Sequence, residues 1–223
     1  MLYRSNKLMF DEQSMSLWNT IDGRPVVGPL AGTSVELTSH PAVTTTWGEW
    51  RAQHPGTTVL SLDTGHQRDY GEGAAYRDYF SHDRLYFQVS ETDRRLKNKA
   101  EVLTLRVRPV VGDRPQPVAI AADFLQRSPF FHFEVAGRRL LAVTSKRGAN
   151  RVYALGQHQV AFPVTASPDQ PVDASGRVWN LSEDALSSRD GSVVLPRVPS
   201  HRAFWFGWYA QYPETLLIGA GQR

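Results

Sequence analysis

A mainly β protein with a few short helices, internally duplicated so that two pseudo-repeats share one core, is what this sequence specifies. Three observations lead there. The chain matches itself at two places; short apolar or alternating segments recur between turn residues; and a hydrophobic fraction of 41%, with 6 Trp, 8 Tyr and 10 Phe, supplies the apolar area for a sizeable interior. At 223 residues the chain is long for one ordinary domain and short for two. The self-match favours a single unit over 1–223: repeat one 1–62, a connecting loop and strands 63–130, and repeat two 131–223.

The match runs through the rarest residue type. Leu17-Trp18-Asn19 recurs as Val178-Trp179-Asn180 and Ser39-His40 as Ser200-His201, both 161 residues on (179 less 18, 201 less 40). After a three-residue difference in loop length, Trp47-x-x-Trp50-x-Ala52-Gln53-x-Pro55-x-Thr57 returns as Trp205-x-x-Trp208-x-Ala210-Gln211-x-Pro213-x-Thr215, now 158 residues on (205 less 47). All six tryptophans belong to these blocks, which chance does not readily arrange.

Taken in chain order, 26–27 and 35–37 read as short strands, with Asp22-Gly23 and Gly28-Pro29 as turn residues. Thr46 followed by Glu49 is a capping box that opens a short helix, Trp47 and Trp50 share one face of it, and Pro55 stops it. An apolar strand at 59–62 follows, and its counterpart is 216–218. The tryptophans are expected in the core, a helix lying on a sheet, in preference to a ligand-stacking platform. Between the repeats, 85–89, 102–107, 118–120, 131–135, 140–144 and 151–155 are apolar or alternating. Ala136-Gly137-Arg138-Arg139 is a hairpin turn, and 121–125 starts a short helix ahead of Ser128-Pro129. The tracts 63–81 and 163–175 look irregular.

Composition removes several functional classes. With 25 basic against 22 acidic residues the formal charge is +3 and the signs are interspersed, so no nucleic-acid partner is expected. The run Arg94-Arg95-Leu96-Lys97-Asn98-Lys99 reads as a solvated face. Absence of cysteine rules out disulfides, thiolate metal sites and cysteine nucleophiles, and leaves the compartment open. No apolar run approaches the roughly 20 residues that span a bilayer, and the segment from Met1 to Lys7 lacks a signal-peptide layout. A soluble chain with no membrane insertion is expected, its localisation unassigned.

The sharpest chemical motif is Asp63-Thr64-Gly65 at the end of an apolar strand, the way aspartic proteases present a catalytic carboxylate. That chemistry needs two aspartates sharing a proton. At the 158-residue offset Asp63 meets Gly221, so the second repeat has no carboxylate to offer, and a strand-ending turn is the plainer reading. The loop beyond collects titratable and aromatic groups. In it Asp63, His66 and Asp69 are candidate acid–base residues, and Arg68, Tyr70 and Tyr76 candidate ligand contacts; the competing reading is an Arg–Asp pair and tyrosine hydroxyls that pin the loop. Seven histidines show no metal-binding helical spacing, and no cofactor is expected. The duplicated pair His40 and His201 is the one weak metal candidate, because a pseudo-symmetric fold could bring both to one interface. No Gly-x-Ser-x-Gly elbow, phosphate loop or dinucleotide fingerprint is present.

One ordered series of motifs resembles a known family. Leu2 to Asp11, Ser16-Leu17-Trp18, the segment from Gly28 to Thr33, Trp47 to Pro55, Leu60 to Gly65, Arg68-Asp69-Tyr70-Gly71 and Phe204-Trp205-Phe206-Gly207-Trp208 are similar to the prokaryotic family called domain of unknown function 3179. The resemblance spans nearly the whole chain. It implies a fold and no activity. Family members carry a cysteine-bearing region ahead of the position matched by Leu2, and this chain lacks it, so no role of those cysteines transfers. The first repeat is thereby expected to lack its opening strands, leaving a sheet edge exposed or calling for a partner. Export is common in the family, which keeps that destination open. Function on these grounds is a β-rich binding or structural domain with an unknown small ligand or protein partner; the alternative is an enzyme of unfamiliar type using the 63–82 loop.

Overall fold

The computed structural model describes residues 2–220. It opens with an antiparallel meander of four strands, β1 (Leu2–Tyr3), β2 (Asn6–Asp11), β3 (Ser16–Asn19) and β4 (Pro25–Val27), which buries Trp18. Two short helices follow, α1 (Trp47–Gln53) and α2 (Arg77–Phe80), neither with a buried residue. The next elements are β5 (Glu101–Val107), β6 (Gln116–Ala121), α3 (Ala122–Arg127) and the strands β7 (Phe130–Val135), β8 (Arg138–Thr144) and β9 (Asn150–Ala154). A second meander, β10 (Trp179–Leu181), β11 (Ala185–Ser188) and β12 (Val194–Pro196), leads into β13 (His201–Phe204), α4 (Trp205–Gln211) and β14 (Leu216–Ile218). The described residues are thus mainly β, in four small sheets with four short helices. None of the helices is long and apolar enough to cross a membrane.

The centre is the sheet β13-β5-β6-β14. The β5–β6 hairpin is flanked on one side by β13, antiparallel with His201 opposite Thr104 and Phe204 opposite Glu101, and on the other by β14, parallel with Leu216 opposite Val118. Both faces of the hairpin are covered, so its residues are apolar in succession instead of alternating. Side chains two apart share a face. Leu103, Leu105 and Ile120 therefore point to one core with Leu125 of α3, Leu140 and Val152, while Val102 and Ala119 point the other way, onto Trp205 and Trp208 of α4. The opposite face of β8–β9 joins Trp179, Leu186 and Leu195 in a third cluster. The β7–β8 turn is the expected hairpin: Ala136 (φ 53°) and Gly137 (φ 76°) both take the left-handed backbone that a two-residue turn of this hand requires.

Helices α1 and α4, which the sequence aligns, have one local geometry. The residues before them, Thr46 and Phe204, have φ/ψ of −79°/151° and −78°/144°; those after them, His54 and Tyr212, have −130°/71° and −133°/77°. The Trp50 indole N–H donates to Thr57 Oγ1 at 3.0 Å and the Trp208 indole N–H to Thr215 Oγ1 at 2.8 Å. Trp50 lies against His54 and Trp208 against Tyr212 in tilted pairs, ring centroids 4.0 and 4.6 Å apart. The capping bond read from the sequence is present, Glu49 N donating to Thr46 Oγ1 at 3.2 Å.

Their surroundings differ, and this corrects several expectations. Trp205 is fully buried, whereas Trp47 is 47% exposed and so is not a core residue. The expected strand at 59–62 is absent and Leu60 is 92% exposed; those at 35–37 and 85–89 are absent as well. The reason is common to all three. A segment becomes a strand when a neighbour takes its N–H and C=O groups in succession; 35–37 has a single such bond, Leu37 N to Gly23 O at 2.9 Å, and among the described residues 59–62 and 85–89 have no backbone ladder. The tract 63–81 is irregular except for α2.

Candidate functional site

The most built-up recess lies between α1 and the second half of the chain. Its floor comes from β9, where every residue except Ala154 is buried and one of them, Arg151, is charged with its side chain 1% exposed. Arg151 Nε and Nη2 donate to Glu183 Oε1 at 3.0 and 2.6 Å. Glu183 is held by the tight β10–β11 turn, in which Ser182 Oγ donates to Ala185 O at 2.8 Å and accepts from Ala185 N at 3.0 Å. Its other oxygen, Oε2, accepts from Nη1 of a second buried arginine, Arg197, at 3.0 Å.

Two guanidinium groups thus share one carboxylate, leaving one positive charge uncompensated within this triad. Arg197 Nε and Nη2 have no hydrogen-bond partner. Burial works against ionising Glu183, but the hydrogen bonds and charges of Arg151 and Arg197 outweigh it and hold its carboxyl below the ordinary value. Burial also pushes the neighbouring Tyr153 hydroxyl up to about 12, against the pull of the same two arginines, so it stays protonated at neutral pH.

Over this floor is a cavity of about 1230 Å³. Gly48, Glu49, Ala52, Gln53 and His54 of α1 and its cap form one wall, and Trp179, Leu181 and Glu183 the opposite one. Lys146 and Arg147 enter from the β8–β9 turn, whose fold is fixed by Gly148 in the left-handed region (φ 89°) and by Ser145 N donating to Ala149 O at 2.9 Å. Gly48 lets the Arg147 guanidinium come close to the helix: a Cβ would lie 2.5 Å from Arg147 Nη1 and would displace that flexible side chain. Gln53 Oε1 accepts from Arg151 Nη2 at 3.4 Å, a long bond. Both carboxylate oxygens of Glu49 are cut off from solvent with no hydrogen-bond partner. The recess therefore combines a buried cationic floor with an unpartnered acceptor on the facing helix. The Trp179 indole N–H is already committed to Asp173 Oδ2 at 3.0 Å, which leaves that ring as apolar wall.

A second cavity, about 680 Å³, is lined by His40 and His201 together, with Glu36, Arg106 and Trp208. The structure thus brings His40 and His201 to one recess. Glu36 is occupied by Arg24 and Arg106, each at 2.8 Å. Burial, then the charge of Arg106, lowers the His201 pKa. Among the described residues no group of three or more His, Asp or Glu side chains could hold a metal ion.

Asp63, His66, Arg68, Asp69, Tyr70 and Tyr76 are all exposed, and none lines either cavity. Thr64 Oγ1 and the Tyr70 hydroxyl are 2.8 Å apart, Asp69 Oδ1 accepts from Gly71 N at 2.8 Å, and Asp69 faces Arg77 at 3.9 Å. Arg151, Glu183 and Arg197 were not singled out from the sequence, and Glu49 only as a capping-box residue. The signal for the first was there: an arginine inside the apolar strand Asn150-Arg151-Val152-Tyr153 has to be paired if it is buried.

A family model described as "Protein of unknown function (DUF3179)" matches residues 1–215. Comparison with curated proteins and with solved structures yields no match.

Proposed function

The chain belongs to the DUF3179 family, whose description names no activity, and from that premise we propose that it is an internally duplicated β-rich binding domain, a single unit over 1–223, taking a small anionic ligand in the cavity between α1 and β9–β10. The duplication is supported by the like flanking backbone angles, lengths and Trp–Thr bonds of α1 and α4. One observation carries the binding reading: Arg151, buried at the cavity floor, shares the single carboxylate of Glu183 with the equally buried Arg197. A carboxylate or phosphate entering from the cavity side meets a surplus of positive charge in a site of low dielectric. The Glu49 oxygens opposite call for a hydroxyl or ammonium donor on the same ligand.

Small hydroxy acids, amino acids and sugar phosphates are the compounds to screen by thermal shift. Such a ligand at a hundred times its Kd stabilises the protein by about 2.7 kcal/mol, readable as a raised Tm. Lys146→Glu, at the exposed rim, and Glu49→Ala, in the wall facing the floor, should each weaken that shift, the first with the ligand-free Tm nearly unchanged and the second with it unchanged or raised, because a buried carboxylate with no partner is removed. A panel in which no anion raises Tm, or a shift indifferent to both substitutions, would remove the reading. Catalysis through Asp63, His66 and Asp69 would need a concave surface around them, and these groups stand on an open loop.

A further inference from the structure

Strand β13 runs beside β5 only as far as Thr104, although β5 continues to Val107. The phase of this ladder is fixed by Trp205 N, which donates to Ala100 O at 2.8 Å. In an antiparallel pair every second residue turns its N–H and C=O to the same neighbour. Ala100, Val102, Thr104 and Arg106 therefore face the β13 side, and Leu103, Leu105 and Val107 face β6. Pro117 agrees with this phase: it stands opposite Arg106 in β6 and has no N–H to give. Arg106 is thus the first residue of β5 whose main chain meets an open edge. Continued backward, β13 would set Pro199 opposite it, again with no N–H. The chain before β13 is drawn elsewhere, Ser200 O accepting from Ala42 N at 3.1 Å and Val198 N donating to Val152 O at 2.8 Å. Among the described residues, nothing hydrogen-bonds to the main-chain N–H or C=O of Arg106.

The second cavity opens at this edge, with residues 105–108 on one side and 198–201 on the other. Leu105, Val107 and Leu140 give it apolar surface. Past the end of β5 stand the exposed Arg108 and Arg138, and among the described residues neither pairs with a carboxylate. Glu36, the one carboxylate that lines the cavity among those residues, is taken by Arg24 and Arg106. We propose that this edge binds a short extended peptide with a free C-terminal carboxylate. The unpaired N–H and C=O call for main-chain groups, the apolar surface for aliphatic side chains, and the two arginines for a carboxylate. With its carboxylate at Arg108 and Arg138 the peptide runs parallel to β5. In that direction the two residues flanking the one beside Arg106 take its bonds: the first accepts from Arg106 N–H and the second donates to Arg106 C=O. Their side chains turn to the face of Leu105 and Val107, and the carboxylate follows directly. This inference concerns a different cavity from the anion site proposed above and does not rest on it.

The test titrates the full chain with acetyl-valyl-alanyl-leucine, read by NMR of the backbone amides. Without peptide, the Arg106 amide should exchange with solvent faster than those of Leu105 and Val107. Saturation should slow it by about tenfold or more, with the Gly48 and Arg147 amides unmoved. The same peptide as its C-terminal amide, and the free acid methylated at the leucine nitrogen, should each bind about tenfold or more weaker, the loss of a carboxylate contact and of a main-chain donor respectively. Arg108→Gln combined with Arg138→Gln should bring the free acid down to the affinity of the amide, the Tm without peptide staying nearly unchanged because both side chains are exposed. An Arg106 amide that exchanges equally fast with and without peptide overturns the proposal. Equal affinity of acid and amide does so too, as does acetate alone reproducing the Arg106 response. Loss of peptide binding in Lys146→Glu would assign the peptide to the first cavity and likewise overturn it, whereas an anion screen that fails at the first cavity leaves the Arg106 result standing.

Discussion

Helices α1 and α4 share Trp-x-x-Trp-x-Ala-Gln, run for seven residues each, and close the same Trp–Thr hydrogen bond, yet α4 buries six residues and α1 none. Local sequence is enough to set a cap, a helix length and a side-chain contact seven residues away. Burial is set by what lies alongside. Helix α4 covers β5–β6, while α1 faces an open recess on one side and solvent on the other. A helix this short draws its stability from packing far more than from propensity, so two like sequences should differ greatly in energy.

The largest contrast is expected at the paired indoles. Trp208→Ala should cost about 3–5 kcal/mol, as truncation of a buried aromatic does, and Trp50→Ala less than about 1 kcal/mol. Urea denaturation reads both, and equal losses would mean that α1 is packed in solution. Next come the paired glutamines. Gln211 is buried, accepts from Asn19 Nδ2 at 3.0 Å and donates to Asp22 at 3.3 Å, whereas exposed Gln53 has only the long contact to Arg151. Gln211→Ala should cost about 1–3 kcal/mol by stranding a buried partner, and Gln53→Ala no more than about 0.5 kcal/mol in the same assay.

The smallest effect is a pH dependence confined to the α4 side. Because burial and Arg106 lower the His201 pKa, the unfolded chain takes up its proton first. Stability from this group is complete above the ordinary value of about 6.5 and declines as pH falls from there through the folded value. His201→Gln should flatten that part of the pH–stability curve; an unaltered curve would show that the histidine is solvated.

How far the sequence could be read follows the same division. The alternating and continuous apolar strands from 102 to 155, the Ala136-Gly137 turn and the capping box at Thr46 are all local, and each forms where expected. The segment 59–62 has equally good strand character and fails, because a strand needs a neighbour and strand propensity says nothing about whether one is supplied. Trp47 fails with it. His40 and His201, which the sequence matches to each other, line one recess. The Arg151–Glu183–Arg197 triad was not legible. Its members are 32 and 14 residues from Glu183, their contact exists only once β9, the β10–β11 turn and the chain after β12 are folded together, and no spacing announces it.

The most direct measurement is amide hydrogen exchange on the unmodified chain, comparing 58–60 with 216–218. Slow exchange in β14, near the global unfolding limit, beside exchange at 58–60 close to that of an unstructured peptide, is the expected result. Equal protection of the two segments in a monomeric sample would contradict the claim that neighbouring structure, and not local sequence, separates these two regions.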